Sequence, residues 1–384
     1  MNRKQFIVVL AVLIALVAGG LGVARWKQQS YAVADKRVGE KLVEALKVDD
    51  VGSITITDAQ GTVTLVRGEG GYGVKERGGF PADFDQIRDL LVKLAELKVV
   101  QAEALTNELK PRLQLASVGS GAKPDETGLT IELKSRDGRL LAQIVLGKKA
   151  FKPSQVAGLS GDGIASGRYV WVGADPEHVS IVNEPFANVS AKPQQWLARE
   201  LARVERLKSI AAYSPDGKER WLLHKDAEAG EWKFAGPGKL DLGKATDASS
   251  ALYALQIADV ANDVSDAAAG LDKPTTIRAK TFEDWSYELK IGKPAPENRY
   301  YLKVAVAANL PEARTPVAGE KPEEKEKADK AFAERKEVLA TKLAQEKAVS
   351  DRTVIVAKSS IEALLRDRSA FLAVAKPKAD AKKK

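Results

Sequence analysis

The chain repeats itself. Asp83-Phe84 returns 158 residues later as Asp241-Leu242, Leu94 returns as Leu252, Leu97 as Leu255 and Val99 as Ile257. A register shared over that distance marks an internal duplication, so the chain folds as one domain written twice. The length agrees, because 384 residues at about 150 per domain leave room for two domains and attachments.

The repeat extends on both sides of this anchor point. Ser53-Ile54-Thr55-Ile56 opens an alternating strand, and Ser209-Ile210-Ala211-Ala212 opens its counterpart. Turns at Asp58 to Gly61 and Pro215-Asp216-Gly217 lead into strands at Val63 to Arg67 and Arg220 to His224. Gly70-Gly71-Tyr72-Gly73-Val74 then matches Gly230-Glu231-Trp232-Lys233-Phe234, with an aromatic at the same place. In the following helix Phe84, Ile87, Leu90, Leu91, Leu94 and Leu97 form one apolar face, with Asp83 as N-cap and Gln86 at the third helical position.

A meander of strands completes each copy. Thr130 to Lys134 matches Thr276 to Lys280, and Ala142 to Lys148 matches Tyr287 to Lys293. Arg168 to Val172 is aligned with Arg299 to Lys303, an offset of 131, and Val179 to Val182 with Thr353 to Val356, an offset of 174. The copies end near Trp196-Leu197 and Phe371-Leu372. The last jump in offset locates an insertion over about 309–350, where the first copy has only the turn Gly173 to Pro176. Within it Glu323 to Lys347 reads as a charged helix with a thin apolar stripe at Ala328, Phe332, Leu339 and Leu343. Such a helix is a solvated arm held by i,i+4 pairs such as Glu326–Lys330, or a projecting element that docks on another chain.

Residues 6–24 carry no charge and, as a helix, cover about 28 Å, close to a bilayer's apolar core. Arg3, Lys4, Arg25, Trp26 and Lys27 flank them. The length favours a retained anchor over a cleaved signal peptide, although Gly22-Val23-Ala24 and Ala32-Val33-Ala34 both have small-x-small character. The expected fold class is therefore α+β: an N-terminal transmembrane helix (residues 1–30) and two tandem copies of a mostly antiparallel sheet-plus-helix domain (48–202 and 203–373). The inserted helix lies in the second copy, and a Lys-rich disordered tail covers 374–384. The expected location is the inner membrane through residues 6–24, single-pass, with the bulk of the chain in the periplasm.

Composition and motifs bound the chemistry. The chain has no cysteine and two histidines, which excludes disulfides and thiolate chemistry and leaves little for His-based metal sites. Its net charge of +8 sits mainly at the two ends, in the flanks of residues 6–24 and in the five lysines of residues 376–384. Nucleic acid is thus disfavoured as a partner, and the tail suits anionic lipid or wall polymer. Gly68 to Gly73 satisfies G-x-G-x-x-G, but no helix opens at the third glycine, so it reads as a hairpin turn. Gly158 to Asp162 lacks the last glycine of a nucleophile elbow. His178 and His224 fall in different copies, each without a histidine at the repeat-equivalent position. Trp171, Trp196, Trp221, Trp232 and Trp285 alternate with polar neighbours and read as sheet positions rather than a glycan-stacking surface. No catalytic, cofactor-binding or metal-ligating residue is assigned, and no cofactor is expected.

An isoleucine-rich strand, a Gly-x-Tyr/Trp strand, an Asp-capped helix, a strand ending in Gly-Lys and a Tyr-rich strand together carry a family resemblance. From Val51 to Leu372, in two copies, the chain resembles an uncharacterised bacterial domain-of-unknown-function family that accompanies auxiliary components of gliding-type ABC transport systems. The resemblance implies a membrane-anchored, envelope-facing accessory protein whose protein partners are transporter subunits. Binding or scaffolding is the expected function, with no enzymatic activity. A cell-wall glycan- or polymer-binding module is the alternative.

Overall fold

The computed structural model describes residues 37–44, 46–151, 165–316 and 319–373. These divide into two compact units, the first reaching Glu76 and resuming over Ala82–Trp196, the second comprising Arg77–Pro81 and the chain from Leu197.

In the first unit the strands are β1 (Val51–Thr57), β2 (Thr62–Gly68), β3 (Gly71–Val74), β4 (Val99–Ala104), β5 (Leu129–Ser135), β6 (Leu140–Phe151), β7 (Ala165–Val172) and β8 (Asp175–Val182). Their spatial order is β3-β2-β1-β5-β6-β7-β8-β4, and all neighbours are antiparallel. In the second unit β9 (Glu200–Ala202) pairs with β13 (Leu255–Gln256). The main sheet there contains β10 (Leu207–Tyr213), β11 (Glu219–His224), β12 (Lys233–Phe234), β14 (Asp259–Val260), β15 (Thr275–Thr281), β16 (Trp285–Ala295), β17 (Arg299–Ala308) and β18 (Val354–Ala357). Its order, β12-β11-β10-β15-β16-β17-β18-β14, is that of the eight strands just named for the first unit.

The alternation of side chains sets each core. On β1 Ile54 and Ile56 have no exposed surface while Ser53, Thr55 and Thr57 are half-exposed, and on β10 Ile210 and Ala212 are equally buried. Helix α1 (Phe84–Glu96) lays Ile87, Leu90, Leu91 and Leu94 into the first core, and α2 (Leu242–Tyr253) lays Ala245, Ala248 and Leu252 into the second. Both helices start the same way. The Asp83 carboxylate accepts from the Gln86 amide at 3.0 Å, and that of Asp241 accepts from Gly243 and Lys244 at 2.9 and 3.2 Å. The N-cap backbone amides then donate to the last aromatic of their own unit, Asp83 to the Trp196 carbonyl at 2.8 Å and Asp241 to that of Phe371 at 2.9 Å. Trp196 and Phe371 are buried, and Phe371 packs its ring 4.7 Å from that of Trp221.

Two expectations need correction. Residues 6–24 lie outside the described residues, and among the described residues no helix is long and apolar enough to cross a membrane. The longest, α3 (Pro322–Val349), spans about 42 Å, but its Glu and Lys content bars it from hydrocarbon. Among the described residues the fold class is two mostly antiparallel sheets with few helices, and an N-terminal transmembrane helix is not supported. The alignment of the third strand pair also moves by one residue. Leu146 pairs with Val170 and Ile291 with Leu302, so Val170 corresponds to Leu302, an offset of 132. Both are fully buried, and a one-residue slip would have turned them outward.

Helix α3 is seated on its own unit by its last turns. The Tyr287 hydroxyl donates to the Glu346 carboxylate at 2.9 Å, and the Lys342 ammonium donates to the Arg203 carbonyl at 2.8 Å. Lys342 also stands 5.1 Å from the Trp285 ring centroid, and Val349 is buried. Ala328, Phe332, Leu339 and Leu343, the sequence's apolar stripe, are half-buried. Helix α4 (Lys358–Leu365) closes the second core with Ile361 and Leu364.

Gly147 in β6 and Gly292 in β16 occupy equivalent places, where each strand's register shifts against the next. A Cβ on Gly147 would lie 2.4 Å from the Leu113 carbonyl oxygen, and one on Gly292 would lie 2.2 Å from that of Ala269. The obstacle is backbone and cannot yield cheaply. Gly147→Ala and Gly292→Ala should each cost about 1–3 kcal/mol. Gly70→Ala, which meets open space, should change stability by less than about 0.5 kcal/mol in the same urea titrations.

The α3 seat should respond to pH. Burial holds the Glu346 carboxyl above its ordinary value of 4.5, against the opposing pull of the Tyr287 hydrogen bond and the Lys342 charge. Its contribution is thus fully present below pH 4.5 and is lost as pH rises through the raised value. Relative to wild type, Glu346→Gln should gain stability between about pH 4 and about pH 8. Paired thermal melts check the sign, and a difference that stays flat or reverses contradicts it.

Candidate functional site

Each unit interrupts its sheet at one matching point. Between β1 and β5 the register shifts between Val51 and Ser53, and between β10 and β15 it shifts between Leu207 and Ser209. A bulge of this kind bends the strand and re-aims its neighbours. After it Ser53 faces Lys134 across the strands, and Ser209 faces Lys280. On the other side Ser53 pairs with Val66 and Ser209 with His224.

The next residue along is a cation over an aromatic ring in both copies. The Arg67 guanidinium stands 6.0 Å from the Tyr72 centroid, and the Lys225 ammonium stands 5.0 Å from that of Trp232. Tyr72 donates from its hydroxyl to the Val51 carbonyl at 2.8 Å, which fixes the ring, and burial pushes its pKa up. Arg67 donates to the Asp49 carbonyl at 3.0 Å.

A cleft opens over each bulge. In the first unit it encloses about 1060 Å³ and gathers Arg67, Lys75, Lys134 and Arg136 against Glu69. Phe84 and Val66 add exposed apolar surface, at 59% and 44% exposure. Phe84 thus belongs to the cleft and not to the buried face of α1. In the second unit the cleft encloses about 730 Å³ and gathers Lys208, His224, Lys225 and Lys280 with Asp226 and Asp284. Asp226 is held below the usual carboxylate range by its pairing with Lys233. Chemically both clefts can hold anionic groups beside an aromatic or apolar wall.

Other residues singled out in the sequence lie elsewhere. Gly68 and Gly71 close the β2–β3 hairpin, Gly71 with φ of +116°, and α1 begins only at Phe84. His178 lines a separate cavity of about 710 Å³ in the first unit, its Nδ1 2.9 Å from the Asp175 carboxylate, which also pairs with Arg37. Ala142 lines that cavity at the place held by Tyr287 in the second unit, so the cavity opens where Tyr287 supports α3 in the other copy. No hydrogen bond among the described residues joins His178 to a hydroxyl, so a nucleophile–base pair is not assembled there. Trp196, Trp221, Trp232 and Trp285 are buried. Trp171 lies under the segment that carries Leu113 and Leu115, with Lys110 5.6 Å from its ring centroid. Among the described residues no cluster of His, Asp and Glu has metal-holding geometry. Gly158 to Asp162 and the tail 374–384 fall outside the described residues.

Fold and clefts define a class: a duplicated antiparallel-sheet protein with one capped core helix per unit. The chain belongs to the family described as Domain of unknown function (DUF4340), which it matches over residues 74–274, just over half its length. The matched span begins at the end of β3 in the first unit and ends just before β15 in the second. No curated protein and no solved structure matches the chain.

Proposed function

We propose that this protein is a non-catalytic binding and scaffolding protein on the extracytoplasmic side of the cell envelope, an accessory to an ABC-type transport or surface-assembly system. In this reading its two clefts receive its partners. The observation that carries the reading is the cleft itself, built twice on the same bulge with the same serine, lysine and cation–aromatic pair. A duplicated recognition element gains avidity when both sites are engaged, without any new kind of contact. The envelope and transporter part of the reading is supported by the sequence resemblance. Scaffolding is favoured over glycan binding because Trp196, Trp221 and Trp285 keep their ring faces in the protein interior, where a sugar cannot stack.

Affinity purification of the tagged full chain from its host in mild detergent is the test. Permease and ATPase subunits of one transport system should co-purify. The pair Lys134→Glu and Lys280→Glu should lower their recovery about tenfold or more, and each single change less, with circular dichroism confirming that the fold is intact. Absence of any transport subunit, or equal recovery with the paired substitutions, overturns the reading.

A further inference from the structure

We infer that the second unit's cleft is an oxyanion site, built to take the phosphate or carboxylate groups of a multiply charged ligand or partner. The inference rests on the binding reading above and names the chemistry of that site.

Backbone pairing places three lysines on neighbouring strand positions. Lys280 is the cross-strand partner of Ser209, Lys208 is the extra residue of the bulge beside it, and the Lys225 amide donates to the Lys208 carbonyl at 2.9 Å. Like charges on neighbouring strand positions repel. Among the described residues none of the three forms an ion pair with a carboxylate, although Lys93, Lys218, Lys233 and Lys303 all do. Lys208 and Lys225 instead rest near aromatic rings, 5.9 Å from the centroid of Phe282 and 5.0 Å from that of Trp232. Of the two carboxylates in the cleft, Asp226 is already paired with Lys233. Asp284 is the other carboxylate lining the cleft with the three lysines, and the Lys225 charge also acts on Glu228, itself paired with Arg206.

Two neutral donors sit on the core face beneath these lysines. Trp285 lines the cleft at 3% exposure, and its indole N–H has no hydrogen-bond partner among the described residues. A buried donor left unpaired is costly, and an indole can only donate. The buried Thr281 hydroxyl accepts from the Trp285 and Glu283 amides at 3.1 and 3.2 Å and keeps its own proton to give. Ammonium groups around one space, with the carboxylates outnumbered, match the acceptor oxygens of a phosphate or carboxylate. The first unit's cleft preserves the sign with other residues, four cations against Glu69.

Calorimetric titration of the full chain at low salt, with tripolyphosphate and separately with citrate, tests the site. Saturable binding of either is expected, and the tighter of the two tells phosphate from carboxylate as the preferred group. Lys208→Gln with Lys280→Gln should weaken binding about tenfold or more, with unchanged melting curves excluding misfolding. Failure of both probes to bind, or equal binding by the lysine double variant, overturns the assignment. Binding lost only on Arg67→Gln with Lys134→Gln also overturns it, because the anion then sits in the first unit. If the probes fail while transport subunits still co-purify, the oxyanion site falls and the scaffolding reading stands. Probe binding without co-purification has the opposite meaning.

Discussion

Both units depend on a single phase relation: which residues of each strand face inward. On the strand that starts each copy, Ile54 and Ile56, or Ile210 and Ala212, have no exposed surface, while Ser53, Thr55, Ser209 and Tyr213 are partly exposed. A slip by one residue would exchange the two sets and expose the core. The bulge ahead of Ser53 and Ser209 is where this phase is set, because one extra residue there brings the following isoleucine inward. The same event turns the serine outward beside a lysine from the adjacent strand. The cleft is thus a by-product of the device that puts the core in register, and a duplicated fold inherits it twice.

Much of the architecture could be read from the sequence because its signals are local. The helix caps at Asp83 and Asp241 form the hydrogen bonds that their spacing implies, and the terminal aromatics Trp196 and Phe371 accept equivalent backbone bonds. Reading failed where a strand departs from simple alternation. Register shifts between Leu146 and Lys149 and between Ile291 and Pro294 are invisible to periodicity. The resemblance of Arg168-Tyr169 to Arg299-Tyr300 then drew the third pairing one residue off. The clefts escaped notice for a related reason. Their residues come from three strands and a hairpin, and only pairing brings Ser53, Lys134 and Arg67 together. Ser53 and Lys134 stand out in the sequence only as members of the repeat, because alternation gives register and not the direction of a cleft.

The insertion shows how one copy can be specialised without disturbing the fold. Its connection leaves the sheet after β17 and returns at β18, so the strand order is untouched. Yet it supplies Lys342 and Glu346 to a seat made by Trp285 and Tyr287, and the first copy has Ala142 at the place of Tyr287. The large aromatics and the helix that covers them belong together: without α3 the Tyr287 hydroxyl would lose its carboxylate partner, and without the aromatics the helix end would have little to rest on. The first copy, with small side chains and a short turn, keeps an open cavity at the same place.

Two copies in one chain also permit a separation that a single domain would not. A residue kept in both may be required by the fold or by what the fold does, and burial distinguishes the cases. Gly147 and Gly292 are fold residues, because a backbone carbonyl occupies the space a side chain would need. Ile54 and Ile210 are fold residues, because they fill the core. Lys134 and Lys280 have no such reason. They project from strands, where lysine is disfavoured, and many side chains would satisfy the sheet equally well. The cations over Tyr72 and Trp232 differ in kind, Arg in one copy and Lys in the other, yet keep charge and place. Packing does not demand a positive charge at those positions. What the copies share beyond the needs of folding is a cation-lined cleft, and that is where a function common to both must be sought.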